Sequence, residues 1–270
     1  MLVHPAAGRG RGARIGEAAI LRLQSLGAQV RVFSGATAEE TKRLATEAVE
    51  SRPDALAVVG GDGTLALILD RVMGSVVPIA LGPEAVDFAV RGRIRDIDVG
   101  EAECADGRAR FLTIAALGFD ARVAQRTNRM RRPRGPLRYY LALVVELVRL
   151  RPVPFVLTVD GAAERRPGIL IAIGNTRSYG GGMSMCPDAD PCDGLFDVTH
   201  VASIGRLRLL RLFPLLLRAK HLGRAEVTTL RCRSIEVSAP GLVAYADGER
   251  LGEGSFRFRV IPGVLPVLVP

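Results

Sequence analysis

The sequence predicts an α/β fold in which an N-terminal domain of parallel α/β units is followed by a mainly antiparallel, β-rich domain. In the first hundred residues, short β-rich runs alternate with helical patterns, which is typical of parallel α/β units. The fully apolar run 55–59 ends abruptly in glycines, as a buried central strand does. After about Gly100 the pattern becomes β-rich, with one clear helix at 137–150. We therefore predict two domains, 1–98 and 99–270.

Local signals place the elements of the first domain. A strand starts at Leu2, and Thr37 is a good N-cap for a helix that follows it. Apolar periodicity then predicts the remaining segments: helices at 15–26 and 38–49, and strands at 29–33 and 55–59.

The second domain is predicted from short apolar runs bounded by turn residues. They indicate strands at 111–116, 155–160, 168–174, 196–201, 234–237 and 256–260. A second helix is predicted at 206–224, where basic residues surround a leucine face.

Composition narrows the class of protein. The 270 residues are 48% hydrophobic, which is enough to build two modest cores. The longest apolar runs, 139–150 and 207–217, are too short or too interrupted by Arg to cross a bilayer, which takes about 20 apolar residues. The N-terminal residues form no export signal, so we expect a cytoplasmic chain that can lie peripherally at the inner membrane face.

Charge and cysteine content indicate which ligands to expect. The net charge is +9, and the surface should attract polyanions such as anionic lipid head groups or nucleotides. Nucleic-acid binding is not expected, because aromatic residues are few and no known module is present. The four cysteines form no Cys-x-x-Cys pair, which makes zinc and a disulfide framework poor interpretations.

A glycine-rich motif follows the apolar run 55–59 and precedes a helical stretch. It consists of Gly60, Gly61, Asp62, Gly63 and Thr64. Glycines allow close approach of a ligand to the main chain, and a helix N-terminus favours an anion, so a phosphate is the natural occupant. Thr64 can cap the helix, while Asp62 suits Mg²⁺ or a ribose hydroxyl. The alternative is a plain tight turn followed by an N-cap.

Other nucleotide motifs match less well. Neither lysine lies in a Walker context, and protein-kinase loops are absent. The segment 8–13 fits a loose dinucleotide pattern, but no acid follows the second strand. We interpret it as an Arg-rich loop near phosphate, with Gly8 as a contact.

The glycine motif resembles the nucleotide-binding motif of the diacylglycerol kinase catalytic family, which includes sphingosine kinases and bacterial lipid kinases. NAD kinases share this motif. Further resemblances favour the lipid branch and span almost the whole chain: they lie at His4–Gly8, Ile97–Gly100, Leu117–Ala121, Asn175–Gly194 and Asp247–Glu249. The resemblance implies a Rossmann-like domain and a β-sandwich domain, with a last strand that can return to the first domain. ATP and a lipid hydroxyl would meet in the cleft, and a homodimer is compatible with it.

The resemblance also implies roles for individual residues. Glu249 would be the general base that takes the proton of the lipid hydroxyl. Asp190, Asp193 and the Leu195 carbonyl would form a structural Mg²⁺ site, although the same spacing is typical of an ordinary turn. Asp247 is equally well interpreted as the turn acid of a hairpin.

Two departures from the family pattern bear on activity. Where the family has an Asn-Glu pair after the glycine motif, this chain has Ala66 and Leu67. After Pro78 the family has a loop Gly-Thr-x-Asn-Asp-Phe-Ala-Arg, and Asp87–Ala89 superficially resembles its Asp-Phe-Ala. We favour a deletion of that loop and interpret 83–95 as the helix that normally precedes the strand at Ile97–Gly100. Losing one such phosphate or metal contact commonly costs about 2.7 to 4 kcal/mol of transition-state stabilisation.

The sequence thus leaves three functions open. The first is an active ATP-dependent kinase of diacylglycerol or a related lipid, and the second is an impaired relative that binds nucleotide or lipid without transfer. The third, NAD kinase, does not explain the motifs of the second domain. A protein that acts on or binds a membrane lipid needs a surface that docks on an anionic membrane. The basic helix 206–224 and the segment 129–134 are candidates for that docking surface. The alternative is that the leucines of 206–224 only pack on the second domain.

Overall fold

The computed structural model describes residues 1–5, 12–80, 85–130, 132–133, 136–159, 161–179 and 182–270, apart from the side chains of Asp62, Ala85, Pro136 and Leu217. The chain forms two compact units. The first comprises Met1–Val99 with Pro262–Pro270, and the second comprises Gly100–Ile261.

The first unit alternates strands with helices. In chain order its elements are β1 (Leu2–Val3), α1 (Gly12–Ser25), β2 (Phe33–Ser34), α2 (Ala38–Glu50), β3 (Leu56–Val59), α3 (Asp62–Val72), β4 (Ile79–Ala80) and α4 (Ala85–Arg91). Strand β5 (Arg93–Cys104) leads into the second unit, and the end of β16 (Phe256–Val269) belongs to the first.

The strands of the first unit form a parallel sheet in the order β2-β1-β3-β4-β16. Its core contains Ala19 and Leu23 of α1 against Ala57 and Val59 of β3. Strand β1 lies between β2 and β3. The chain therefore moves from β1 to its neighbour on one side, β2, and then crosses to the neighbour on the other side, β3, so the direction of the connections reverses at β1. Ligands of open parallel sheets bind at such a reversal, beyond the carboxyl ends of the strands. The carboxyl ends of β1 and β3 are therefore the place to look for a site.

The second unit is β-rich. Its further elements are β6 (Gly107–Phe111), β7 (Ile114–Gly118), α5 (Phe119–Arg129), α6 (Pro136–Val148), β8 (Val156–Val159), β9 (Ala162–Arg165), β10 (Gly168–Gly174), β11 (Phe196–Ala202), α7 (Arg206–Leu217), β12 (Val227–Cys232), β13 (Ser234–Ser238), β14 (Val243–Ala246) and β15 (Glu249–Glu253). One antiparallel sheet has the order β12-β11-β10-β7-β14-β15. In a second layer, β13 pairs antiparallel with the first part of β16 and with β8.

Strand β10 shows how this unit is built, because its side chains alternate between two buried faces. Ile171 and Ile173 face the core between the two β-layers, which contains Phe111 and Phe196 with ring centroids 5.9 Å apart. Leu170 and Ala172 face the opposite side, where they pack against residues from three helices: Val123 of α5, Ala142 of α6, and Leu209 and Leu212 of α7. Burial on both faces explains why β10 is a continuous apolar run.

The predicted fold class is confirmed, since parallel α/β units are followed by an antiparallel domain. Several predicted elements differ in extent. The predicted strand 111–116 is two strands separated at Leu112–Thr113, and the helix predicted to reach residue 224 ends at Leu217. Ala219, with φ 55°, adopts the left-handed conformation that stops an α-helix. Helix α5 was not predicted, because its Arg-rich sequence has a narrow apolar face.

Within the described residues, no helix is long and apolar enough to cross a membrane.

Candidate functional site

The glycine motif lies at the carboxyl end of β3, where the first unit reverses its connections. All of Leu56–Val59 is buried, and helix α3 begins directly after Gly61. The backbone N–H groups of Thr64 and Leu65 both donate to the Gly61 carbonyl, at 2.8 and 3.2 Å, which closes the first helical turn. The first N–H groups of an α-helix have no partner within it and carry its positive dipole end. The geometry of the turn is therefore compatible with a bound phosphate, and the phosphate site stays a prediction.

The glycines of this motif differ in their surroundings. A Cβ on Gly60 would lie 2.4 Å from Thr64, so Gly60 cannot carry a side chain without moving its neighbours. Gly61 and Gly63 are exposed and have nothing within 4 Å of a Cβ position. Gly60 is thus required for packing, whereas the other two leave open space for a ligand.

The prediction that Thr64 caps α3 is wrong. The N-cap residue is Gly61, which has no side chain to donate or accept, and Thr64 is buried within the first turn. Thr64 instead fills the space beside Gly60. Asp62 is the first residue of α3, but its side chain lies outside the described part of the structure, and Gly8 falls in the segment 6–11 that is likewise outside it.

The end of β1 is joined to this region by hydrogen bonds. The His4 N–H donates to the Val59 carbonyl (3.2 Å), and His4 Nδ1 lies 3.1 Å from the Gly35 carbonyl oxygen and 3.2 Å from Thr41 Oγ1. The three strand ends β1, β2 and β3 are therefore held together at the edge where the glycine motif lies. The family-type opening at His4–Gly8 thus starts beside the glycine turn.

Glu249 lies in the second unit, at the start of β15. It follows a two-residue hairpin turn, because Ala246 pairs directly with Glu249. The turn residues Asp247 and Gly248 have φ values of 52° and 85°, as a type I′ turn requires. The Glu249 side chain is exposed. A rigid turn therefore presents this carboxylate to solvent, where a substrate hydroxyl could reach it.

Asp247 holds the hairpin in place. Its carboxylate is buried and accepts hydrogen bonds from the backbone N–H groups of Leu112 (2.7 Å) and Thr113 (3.0 Å), and also from the Thr113 hydroxyl. On the other side of the turn, Asn128 of α5 donates to the Gly248 carbonyl (3.1 Å). The structure thus supports the interpretation of Asp247 as the turn acid.

Asn175 contacts the same segment. Its side chain is fully buried and donates to the Leu112 carbonyl (2.9 Å), while its backbone N–H donates to the Thr113 carbonyl (2.9 Å). Leu112–Thr113 is therefore held by Asp247 on one side and by Asn175 on the other. Two motifs that lie far apart in sequence support one hairpin.

The residues considered for a Mg²⁺ site form two turns. Asp190 Oδ1 accepts from the Cys192 N–H (3.1 Å), and Asp193 Oδ1 accepts from the Leu195 N–H (2.9 Å). Such contacts to the backbone two residues on are typical of Asx turns. The other oxygen of Asp193 is ion-paired with Arg231, which also reaches Asp197 at 3.4 Å.

Oxygen donors of this kind suit Mg²⁺. A guanidinium nevertheless already supplies positive charge at Asp193, so a metal ion there would have to share this carboxylate with Arg231 or displace it. Burial raises the pKa of the neighbouring Asp197, and Arg231 opposes this shift. The metal role of Asp190, Asp193 and Leu195 stays a prediction.

Asp120 is an ionisable residue to which the sequence analysis assigned no role. It lies in the first turn of α5, after Gly118 at φ 80°, and burial raises its pKa to about 7. The motif Gly118-Phe119-Asp120 was noted, but no property of the sequence shows how deeply a residue at a helix start is buried. Carboxyl groups with strongly raised pKa values occur preferentially at functional sites.

A cavity of about 480 Å³ lies alongside α5 within the second unit. Arg122, Arg126 and Arg129 line one side, and Leu242 and Val243, at the start of β14, line another. Arg126 is ion-paired with the buried Glu146. Two acids, Glu146 and Glu253, line the cavity as well, so its lining is mixed in charge. The cavity meets the β14–β15 hairpin at Val243 and Glu253, the end of the hairpin away from Glu249.

The region after β4, which we interpreted as shortened, is described in part. Helix α4 begins at Ala85, and residues 81–84 lie outside the described structure. Asp87 lies within α4 and forms an exposed ion pair with Arg22 of α1 (3.0 Å). A helix thus lies within the predicted range 83–95 and includes Asp87, but it ends at Arg91, and residues 93–95 already belong to β5.

The predicted residues fall into separate groups. The glycine motif belongs to the first unit, whereas Glu249 and the loop from Asp190 to Leu195 belong to the second. Within the second unit, Glu249 shares a hairpin with Asp247, and Asp190 and Asp193 lie in a different loop near Arg231.

Two family models match the chain. The one described as the diacylglycerol kinase catalytic domain matches residues 1–85, and the one described as the YegS C-terminal NAD kinase beta sandwich-like domain matches residues 113–269. Relatives match along the chain as well. A diacylglycerol kinase of Mycobacterium tuberculosis H37Rv is 38% identical over 290 aligned positions, covering 100% of this chain and 94% of the relative. A YegS-like lipid kinase of Pectobacterium atrosepticum is 26% identical, covering 86% and 83%.

Solved structures agree on the fold. A diacylglycerol kinase from Bacillus anthracis has a TM-score of 0.71 at 17% identity, covering 100% of this chain and 95% of that one. An NAD kinase from Archaeoglobus fulgidus in complex with ATP has a TM-score of 0.52, also at 17% identity, covering 99% and 92%. At such identities the likeness concerns the fold alone. The relatives and the two family models go further, and they show that the chain is a lipid kinase of the diacylglycerol kinase catalytic-domain family.

Proposed function

We propose that this protein transfers the γ-phosphoryl group of ATP to the hydroxyl of a membrane lipid, with diacylglycerol or a closely related lipid as acceptor. The observation that carries the proposal is the open glycine turn at the reversal point of the first unit, where Gly61 and Gly63 leave room at a helix N-terminus. Phosphoryl transfer depends mostly on positioning and charge stabilisation, and backbone N–H groups at such a turn supply both.

The acceptor side of the reaction is assigned to Glu249. An exposed carboxylate on a rigid type I′ hairpin can accept the proton of a lipid hydroxyl as the hydroxyl oxygen attacks the γ-phosphorus. The bond from the γ-phosphorus to the bridging oxygen then breaks, and ADP leaves. The cavity alongside α5, whose lining combines arginines with apolar side chains and two acids, is a candidate site for an amphiphilic acceptor.

Mg²⁺ would enter with ATP and neutralise charge on its phosphates. Asp62, at the start of α3, is the residue assigned to that ion. A second, structural Mg²⁺ held by Asp190, Asp193 and the Leu195 carbonyl is a separate proposal, and the Arg231 ion pair at Asp193 speaks against it.

A second candidate function is nucleotide or lipid binding without transfer. Two partly buried apolar residues, Ala66 and Leu67, stand on α3 where the family has polar ones. The alignment with the M. tuberculosis relative spans 290 positions against the 270 residues of this chain, so parts of the relative lie opposite gaps. Lost polar contacts at a phosphate would lower the rate directly. NAD kinase is supported only by the shared glycine motif and by a shared fold.

The test is transfer of labelled γ-phosphate from ATP to a panel of lipids in mixed micelles. The variant Glu249→Gln should lower kcat by about 100- to 10,000-fold, because it removes the proton acceptor. Glu236→Gln is the matched control, since Glu236 is an exposed carboxylate on β13 that is ion-paired with a surface arginine, Arg257.

Each outcome is informative. Label in one lipid that disappears in Glu249→Gln would support the kinase and identify the acceptor. Equal activity of Glu249→Gln and the unchanged chain would overturn the role of Glu249. Binding of ATP without any labelled product would favour the second candidate, and formation of NADP would revive NAD kinase.

A further inference from the structure

Helix α6 exposes an apolar strip to solvent. Its large apolar residues Leu137, Tyr140, Leu141, Val144 and Val148 are all exposed, with Val144 at 54% and Val148 at 63%. They recur at steps of three and four residues, so they share one face of the helix. Contiguous apolar patches on a protein surface mark interaction sites.

The opposite face of α6 packs against the core of the second unit. Ala142 is fully buried there, and Tyr139, Leu143 and Leu147 are partly buried against the same cluster. Helix α6 is therefore apolar on both faces. Packing within the second unit explains the inner face, and the outer face remains available to another apolar environment.

Helix α7 extends the patch. The Nε group of Arg206 donates to the carbonyls of Leu147 (3.2 Å) and Val148 (3.1 Å), which joins the start of α7 to the end of α6. Of the leucines of α7, Leu209, Leu212 and Leu216 are buried, while Leu207 and Leu210 are exposed. We call the exposed residues of both helices the α6–α7 face. The interpretation that the leucines of this helix pack on the second domain thus holds for one side of α7, and the other side is exposed.

The charges around the α6–α7 face are positive. Helix α6 carries a single acid, Glu146, which is buried and paired with Arg126, and α7 carries none. Arg149, Arg206 and Arg211 are exposed at its edges. An adjoining groove of about 800 Å³ is lined by Arg206, Arg208, Arg211 and Arg224, with Glu226 paired to Arg208. The face therefore complements an anionic surface.

We propose that the α6–α7 face is the membrane-docking surface of this protein, with its apolar side chains inserted at the boundary of an anionic lipid bilayer. The proposal rests on the lipid-kinase function only in that a membrane-resident substrate gives the docking its purpose. Helix α6, of 13 residues, is about 20 Å long and would lie in the plane of the interface. Apolar insertion and attraction of arginines to anionic head groups would then act together.

A second copy of the chain fits the face less well. Pairing across a two-fold axis would bring the same patch of both copies together. The arginines at the edges of the face would then meet arginines without any exposed acid from α6 or α7 to pair with. Charge complementarity favours the lipid surface.

The experiment is co-sedimentation of the full chain with vesicles of phosphatidylcholine containing about 30% phosphatidylglycerol, without ATP or diacylglycerol. The double variant Leu141→Gln/Val144→Gln should lower the partition coefficient by about tenfold or more, because two inserted side chains become polar. Gln keeps a good helix propensity. The matched control is Leu21→Gln/Val76→Gln, which changes two residues of the first unit that are 69% and 86% exposed.

A second double variant tests the electrostatic attraction between the arginines of the face and the anionic head groups. Arg149→Gln/Arg211→Gln should lower binding to the anionic vesicles by about fivefold per charge, since each basic residue near such a surface contributes about 1 kcal/mol. Binding to pure phosphatidylcholine should hardly change, and the salt dependence should become shallower.

The inference is overturned if the apolar variant binds anionic vesicles as well as the unchanged chain does. It is also overturned if sedimentation equilibrium shows a dimer that the same variant dissociates, because the face would then join two copies. Phosphorylation of a short-chain diacylglycerol in free solution separates the two proposals. The apolar variant should retain that activity in full. If no form of the chain transfers phosphate while vesicle binding behaves as expected, the kinase proposal fails and the docking surface stands.

Discussion

The glycine turn of the first unit and the Glu249 hairpin of the second are built in opposite ways. The turn is formed by neighbours in sequence, since its hydrogen bonds join Gly61 to Thr64 and Leu65. The hairpin depends on residues far away, because Asp247 binds the backbone of Leu112 and Thr113, about 135 positions earlier. A local turn can keep its shape while flanking functional groups change. A hairpin held at long range keeps its geometry only while all partners remain.

This difference fits the pattern of change along the chain. The departures from the family pattern, Ala66, Leu67 and the shortened segment after Pro78, all lie in the first unit near the turn. The supports of the hairpin, Asp247 and Asn175, are all present. On this interpretation the departures lie on the nucleotide side, while the residues that support the hairpin are present. The following substitutions test this contrast.

Asp247→Ala should have the largest effect on stability, about 3 kcal/mol, because two buried backbone N–H groups lose their acceptor. Urea unfolding measures the loss. Asp247→Asn keeps one acceptor oxygen and should lose less. If Asp247→Ala were fully stable yet inactive, Asp247 would act in the chemistry and the hairpin would not depend on it.

Gly60→Ala should destabilise the first unit by about 2 kcal/mol, because the new Cβ meets Thr64 at 2.4 Å. Gly63→Ala should instead be neutral or stabilising by up to about 1 kcal/mol, since it has open space and lies in a helix. Both should weaken ATP binding, Gly63→Ala through the blocked approach of a phosphate. Thermal unfolding together with ATP titration separates the two effects. Unchanged ATP binding in Gly63→Ala would contradict a phosphate site at this turn.

Asp120 should make stability depend on pH. Its pKa in the folded chain is about 7, above the ordinary value of 3.8, so the folded state holds a proton that the unfolded state has released. The contribution of Asp120 to the free energy of unfolding is therefore most favourable below pH 4. It falls as the pH rises toward 7 and is constant above that. Because the side chain is partly exposed, we expect a fall of about 1 to 2 kcal/mol.

Asp120→Asn should remove this component, so the variant gains stability over the unchanged chain at pH 8 but not at pH 4. Urea midpoints at both pH values measure it. Equal differences at the two pH values would show that Asp120 titrates normally.

Arg231 and Mg²⁺ should compete for Asp193, and we expect this competition to change the stability of the protein less than the substitutions above do. Since Arg231 already neutralises this carboxylate, neither Mg²⁺ nor EDTA should shift the melting temperature of the unchanged chain. Arg231→Gln should lose about 1 kcal/mol and recover part of it with millimolar Mg²⁺. A clear loss of stability of the unchanged chain in EDTA would instead support the structural metal site.

The order and type of most elements could be predicted from sequence. Strand β10 agrees with its prediction at both ends, because burial on both faces leaves an unbroken apolar run between two glycines. Helix α2 agrees as well, with Thr37 accepting from the Glu40 N–H. Helix α5 was missed, since its Arg-rich stretch contains few apolar residues and its start is set by packing at Gly118. The cap at Thr64 was wrong, because burial against Gly60 outweighed its capping tendency.

The sequence by itself determined the fold class, the glycine turn and the family, because strands, turns and motifs depend on residues that are close together in the chain. Only the tertiary structure decided that Asp247 and Asn175 both bind the segment Leu112–Thr113 and that Arg231 is ion-paired with Asp193. It likewise decided that burial raises the pKa of Asp120. It also decided which side of α6 is buried, since an all-apolar helix does not reveal its outer face. These features depend on contacts between distant residues and on access to solvent, and neither is set by local sequence.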